Sequence, residues 1–403
     1  MRRKELIDTS LKLLSINSVT ELEDTTEIME YIKSVFRDKE QVTVHSFLKD
    51  KGVENLIIEI HGLSNGKTIS FNGHVDTFPI GEINKWKYNP FGELFDNKYI
   101  CGRGAADMKC AIAAIMQTLL YMHEHRNEWK GTIKGIFVGD EQVGGSLGTK
   151  FLLADSVEWY SDALVNGDMG SPYIIRFGEK GLVWIKLDSF GKSGHGAYVF
   201  DNDSAIEKIL LGIEKIKIKI SEIEGGDEYK KISKEIMKSE QIFKYHSMHN
   251  EIKTLNTITC NIGKIEGGNL VNLSADKASA LIDIRVPCGY QCNQIINLLD
   301  DVCNDIKGLQ YSIVDMVEPN YTDPESDIIK IAKKCCKSVL GDNVTASCRV
   351  GASDSVYFRK AGIPTVNCGL RSHGAGEYDE YIEIQELEDL FDIYTKICFE
   401  FLD

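Results

Sequence analysis

The 403-residue chain has no run of about 18 apolar residues, so nothing in it reads as a membrane-spanning helix. No apolar segment follows the two arginines of MRRKELIDTS, which argues against a secretory signal. Basic charge is also in deficit: 46 lysines and arginines face 61 acidic residues, a net charge of −15. No basic patch relieves that balance, because the lysines of 214–220 alternate with isoleucine as on the solvated face of a helix. Such a chain repels nucleic-acid phosphates and anionic lipid, which excludes both as expected partners. The eleven cysteines are odd in number and contain no C-x-x-C pair. They fit small buried hydrophobes in a reducing compartment, and the chain reads as cytoplasmic. There is no internal repeat and no low-complexity tract.

What is present is enough apolar material, 43% of residues, to bury a large core in one large domain or two smaller ones. Apolar residues recur at helical spacing over 4–17 and 25–36, β-type runs follow at 55–62 and 67–73, and residues 108–122 are apolar nearly all round, as in a helix packed inside a layered domain. Further buried strands are expected at 131–140 and 162–168, so the class is α/β, a mixed sheet covered by helices. From 182 the texture changes to strand 182–190, helix 204–220, strands 254–264 and 277–285, helix 291–306 and strand 309–315. That order is βαββαβ, a small sandwich with both helices on one face. The charged, poorly periodic stretch 221–252 reads as a helical excursion on the surface. The α/β texture returns with a helix at 326–339, the short strand PTVNCG and a last helix from about 385. The expected organisation is a catalytic domain in two parts, 1–180 and 316–403, interrupted by an inserted domain at 181–315.

In open α/β sheets ligands bind beyond the carboxyl ends of the strands, and there this chain places acids and an imidazole: His74 with Asp76, Asp140 with Glu141, and Asp168. Asp107 lies in a glycine-containing loop before the buried helix, where it can reach the same rim. Singly, such an aspartate is usually a helix cap and such a histidine usually packs. Together they form the donor set that zinc takes when it keeps a position open for water, whose pKa it lowers to about 7. Asp76, two residues after His74, falls on the same side of an extended strand and is placed to orient the imidazole.

The ordered set GHVDTFP, GRGAADMK, DEQVGGSLGT, NGDMGS, GKSGHGAY, GGNLVNLSADKA with DIRVP, and GASDSVYFRKAGIPTVNCG with DEYIEI resembles, over nearly the whole chain, the co-catalytic zinc amidohydrolases and peptidases. That family includes acetylornithine deacetylase, succinyl-diaminopimelate desuccinylase, aminoacylase and glutamate carboxypeptidase. The resemblance implies two zinc ions bridged by Asp107, with His74 and Asp168 completing the first shell and Glu141 as general base. It also implies that His195 polarises the scissile carbonyl, often from the partner subunit of a homodimer, and that Arg285 and Asn272 hold a substrate carboxylate. The loop from Gly351 to Asp354, with Ser353, would line the same pocket, and the inserted domain would serve as lid and dimerisation element.

Two residues depart from the family pattern. Gln142 stands where a second glutamate usually binds the other zinc, and Gly376 stands where many members have a histidine four residues before the glutamate equivalent to Glu380, which leaves His373 as the candidate ligand. Both departures fall on the second ion. A neutral amide donates less strongly than a carboxylate, so that site is expected to be weak or to take cobalt or manganese. The expected activity is hydrolysis of the amide bond of a small N-acyl amino acid or dipeptide bearing a free carboxylate. The alternative is a non-hydrolytic metal-dependent binding protein with a degraded second site.

Overall fold

Strand Thr68–His74 can be buried on both faces, and in the structure, a computed structural model describing residues 2–20 and 24–403, it lies inside a mixed sheet. It pairs in parallel with Thr132–Val138 on one side and Ala163–Asn166 on the other. The register sets His74 opposite Val138 and Asn72 opposite Asn166, so the chain leaves all three strands at one edge. Beyond Thr132–Val138 come Glu54–His61 and then Val42–Leu48, each antiparallel to its neighbour. Beyond Ala163–Asn166 come Thr365–Asn367, parallel, and Ile174–Glu179, antiparallel.

Helices cover both faces of this sheet, as an α/β class requires. Helix Cys110–Glu124 packs with the last helix, Ile384–Leu402, against the face that carries Phe71, whose ring meets that of Tyr394 at 5.1 Å between centroids. Each fully buried Leu, Ile or Phe of these helices contributes about 1.5–3 kcal/mol, against about 1–2 kcal/mol lost per ordered backbone residue, so packing rather than helix propensity holds them in place. Gly73 permits the close approach: a Cβ there would stand 2.8 Å from Met108 Cε and 3.1 Å from Ile112 Cγ1. On the opposite face Ile57, Ile136, Val138 and Leu164 pack against Leu152 and Phe358, from helices Thr149–Asp155 and Ser355–Lys360.

Among the strands not expected from the sequence are two of the mixed sheet. Val42–Leu48 is a half-exposed edge strand whose polar and apolar residues mix, and Ile174–Glu179 carries Arg176 and Glu179 in a buried run that the strand-type pattern does not flag.

Chain contacts divide the molecule into two compact units, one of Met1–Phe177, Thr322–Ser347 and Ser353–Asp403, the other of Gly178–Tyr321 and Cys348–Ala352. In the second unit a four-stranded antiparallel sheet runs in the order Thr259–Gly267, Lys277–Val286, Gly181–Phe190, Leu309–Val317. Alternate residues Val183, Ile185 and Leu187 face helices Ala205–Glu222 and Cys292–Asp305, which both lie on that face. The stretch after Glu222 forms three helices, Asp227–Met237, Glu240–Tyr245 and Glu251–Asn256, and the last of these delays the next strand to Thr259. Among the described residues no helix is long and apolar enough to cross a membrane.

Candidate active site

The parallel register delivers His74 and Asp168 to the same edge, and the loop before helix Cys110–Glu124 brings Asp107 between them. Ligand atoms of these three buried residues all lie within 4.8 Å of one another. His74 Nδ1 is 3.0 Å from the main-chain carbonyl of Asp76, an acceptor only, so Nδ1 carries the proton and Nε2 points at Asp107 Oδ1, 3.0 Å away. An imidazole fixed in that way can sit beside an anionic oxygen only with a second proton or a cation between them. Burial alone would push the His74 imidazolium down, but the Asp107 carboxylate, joined by Asp76 and Glu141, outweighs it and holds the ring well above its usual range. A hard or borderline divalent cation suits this set of one imidazole and two carboxylates, and His74, Asp107 and Asp168 are the residues that would hold it.

An asparagine ladder sets the strand ends. Asn166 Nδ2 donates to Asn72 Oδ1 at 2.7 Å and Asn367 Nδ2 donates to Asn166 Oδ1 at 3.1 Å, across strands in register. Asn166 Oδ1 also accepts the N–H of Asp168 at 2.8 Å, which fixes where that carboxylate leaves the sheet. Sequence reasoning missed this ladder. Its signal is the repeated asparagine at three strand ends, in FNGH, VNGD and VNCG.

Asp76 does more than was expected. Its carbonyl, not its carboxylate, is the nearest acceptor for the imidazole, since Oδ1 stands 3.5 Å from Nδ1. The carboxylate also accepts the main-chain N–H groups of Glu141 at 3.2 Å and Gln142 at 3.1 Å, and the Thr20 hydroxyl at 2.8 Å. The physical reason is that the strand ends at His74, so the alternation that would keep both side chains on one side no longer applies. Asp76 thereby pins the turn that presents Glu141, whose Oε2 lies 3.9 Å from His74 Nε2. Burial raises the Glu141 carboxyl well above its ordinary range, and the charges of Asp168, Asp354 and Asp107 add to that while His74 opposes it. Asp140 is not one of the grouped ligand side chains; it accepts the Leu147 N–H at 2.6 Å.

Asp107 turns its second oxygen, Oδ2, to the Gln142 side chain, which donates to it at 2.9 Å. That amide offers NH₂ to a bare carboxylate and, flipped, its carbonyl oxygen to a cation. His373 is not part of the three-residue group. Its ring stacks on Tyr381 with centroids 4.6 Å apart, its buried Nε2 has no hydrogen-bond partner, and burial lowers its pKa toward the neutral form that ligates metals. Ser353 Oγ accepts from Asn367 Nδ2, and Asp354, lifted by burial to about 7, accepts from Thr149 Oγ1 at 2.8 Å.

The remaining expected residues belong to the second unit. His195 lies on a two-stranded ribbon, Gly194–His195 against Leu273–Ser274, next to Asn272, whose carbonyl accepts the Gly196 N–H at 2.8 Å. The Ala197 N–H donates to His195 Nδ1 at 3.1 Å, which leaves Nε2–H as the outward donor of an exposed ring. Arg285 donates through Nε to Asp283 at 2.8 Å, and its guanidinium stands 5.7 Å from the Trp184 ring centroid.

A buried imidazole and two carboxylates at the carboxyl edge of a mixed sheet, with a further carboxylate of raised basicity beside them, define a metal-dependent hydrolase. Residues 70–400 match the model of Peptidase family M20/M25/M40, and the chain belongs to this family of metallopeptidases and amidohydrolases. It is 26% identical over 358 residues to a succinyl-diaminopimelate desuccinylase of Ehrlichia ruminantium, covering 85% of this chain and 84% of that protein. Among solved structures it resembles an M20 family metallo-carboxypeptidase of Sulfolobus solfataricus, with a TM-score of 0.75, 20% identity and coverage of 98% of each chain. It also resembles a Bacillus subtilis protein described as a dinuclear metal binding peptidase of the same family, with a TM-score of 0.68, 15% identity and coverage of 100% and 98% of the two chains. The protein is a metal-dependent amide hydrolase acting on small substrates.

Proposed function

We propose that the chain hydrolyses the amide bond of a small N-acyl amino acid or a dipeptide with a free carboxylate, and that its metal is zinc. The observation that carries this reading is the Glu141 carboxylate 3.9 Å from the imidazole of the ligand group, on a turn held by two hydrogen bonds to Asp76. A bound zinc supplies Lewis acidity and makes a water acidic near neutral pH. Glu141 takes the proton of the attacking water and returns it to the leaving amine, a task that suits a carboxyl raised toward neutrality. From the second unit, the Nε2–H of His195 would donate to the developing oxyanion, and Arg285 and Asn272 would hold the free carboxylate; in this role residues 178–321 act as a lid. The names of the desuccinylase and carboxypeptidase relatives support a substrate with a carboxylate near the cleaved bond. A homodimer and a cytoplasmic location belong to the same proposal and rest on the resemblance and on the many free cysteines. A purely binding role is not favoured, because binding alone has no use for Glu141.

The test is a panel of acetyl, succinyl and dipeptide substrates assayed with zinc, cobalt or manganese and after chelation. Metal-dependent turnover of at least one class is expected. Tight metal and carboxylate binding with no turnover of any of them would overturn the hydrolytic reading.

The two oxygens of Asp107 face different neighbours, His74 and Gln142, which suits a bridge between a strong site and a weaker one. Gln142→Glu is expected to tighten the second ion at least about tenfold, or about 1.4 kcal/mol, between the roughly 1 kcal/mol a unit charge at contact distance supplies in bulk water and the roughly 4 kcal/mol near a protein surface. Metal analysis after dialysis measures this, and an unchanged metal-to-protein ratio would count against the assignment.

A further inference from the structure

Asp107 is held neither by a helix nor by a strand: its φ of −132° and ψ of 89° break the turn that leads into helix Cys110–Glu124. What holds it is a side chain remote in sequence. Glu380 Oε1 accepts the main-chain N–H groups of Ala106 at 2.9 Å and Asp107 at 3.2 Å. Glu380 Oε2 accepts from Arg103 Nη1 at 2.6 Å, and the Glu380 carbonyl accepts the N–H of Gly102 at 2.9 Å. Arg103 also donates to two other segments, from Nε to the Pro79 carbonyl at 3.2 Å and from Nη2 to the Gly376 carbonyl at 3.1 Å. Both side chains are shut off from water, Glu380 at 1% and Arg103 at 5% exposure.

A buried ion pair adds little net stability over apolar residues of the same volume, because desolvation offsets the attraction. Its geometry is the informative part. The carboxylate meets two successive amide N–H groups, a small anion nest, and one of these belongs to Asp107 itself. The guanidinium ties this loop to the segment leaving His74 and to the segment that carries His373. We propose that Glu380, backed by Arg103, is the positioning residue for Asp107, fixing the direction in which both of its oxygens point. Glu380 sets the metal affinity without touching metal or substrate. The inference rests on the reading of Asp107 as a metal ligand.

Zinc affinity, measured by competition with a chelating dye on metal-free protein, tests it. Glu380→Leu combined with Arg103→Met replaces the pair by apolar side chains and leaves the two amides without an acceptor. Zinc binding is expected to weaken about 10–100-fold, the usual range for a lost outer-shell partner. Glu380→Gln combined with Arg103→Met restores an amide oxygen to those N–H groups and is expected to return most of the affinity, a rescue that general loosening of the fold would not show. Zinc binding by the Leu–Met pair equal to wild type, or no recovery in the Gln–Met pair, overturns the inference. If the Leu–Met pair does not fold, Glu380→Asp, which withdraws the carboxylate by one methylene, is expected to cost about tenfold in zinc affinity, and no change there overturns it equally. Asp107→Ala separates the two levels: zinc binding unchanged in that variant removes the ligand reading itself, whatever Glu380 does.

Discussion

Glu141→Gln is expected to bind metal and substrate as the wild type does and to turn substrate over about 10²–10⁴-fold more slowly, the range a positioned general base supplies. The substitution is nearly isosteric, and the contacts that place the turn are main-chain N–H groups of residues 141 and 142 donating to Asp76, which the change leaves intact. What is lost is a basic oxygen beside the metal group. The pH dependence gives an independent check. A general base works when deprotonated, so kcat/KM in the wild type should rise with pH as Glu141 loses its proton. Because burial raises this carboxyl, that limb should lie above the range of an ordinary glutamate. In the Gln variant the limb should vanish from the residual activity. A kcat within a few-fold of wild type, with the limb retained, would remove Glu141 from the chemistry.

Asp107→Ala is the second large effect. It deletes the carboxylate that faces both His74 and Gln142, and it leaves the His74 imidazole without the anion that holds its proton. Metal should be lost and turnover should fall at least about 10³-fold, matching the several kcal/mol of charge stabilisation a bound cation supplies in the transition state. Excess zinc should restore little, because only His74 and Asp168 of the three grouped side chains would remain to hold it. Metal content, turnover and far-ultraviolet circular dichroism on the same preparation distinguish a lost site from a lost fold. Retained metal with retained turnover would mean that the ligands lie elsewhere.

Most of the architecture could be read from residue pattern because the patterns are strong where burial is complete. The helix at Cys110–Glu124 and the alternation in Gly181–Phe190 follow directly from which side chains must leave water. Val42–Leu48 escaped notice because an edge strand is half wet and its pattern is mixed. The clustering of His74, Asp107 and Asp168 could be anticipated because acids and an imidazole at the carboxyl ends of parallel strands converge on one edge. The groups that aim those ligands could not, since asparagines that bond to each other across strands and a glutamate that caps a loop from the far end of the chain leave no periodic trace. Asp76 illustrates the limit: its residue type suggested a partner for His74, but nothing in the sequence announced that its carbonyl is the nearest acceptor for the ring or that its carboxylate also takes the N–H groups of Glu141 and Gln142.

Two of the three laddered asparagines, Asn72 and Asn166, are each followed by glycine. An asparagine–glycine pair in a mobile chain is prone to spontaneous deamidation, because the glycine nitrogen is unhindered and can attack the side-chain amide. Inside the sheet both amides are buried and hydrogen-bonded, and the extended backbone keeps that nitrogen out of line. Once heat opens the sheet the protection ends. Conversion of either residue to an acid would set a negative charge where the refolding strands need a neutral donor, so the damage from a long excursion to high temperature becomes chemical and permanent.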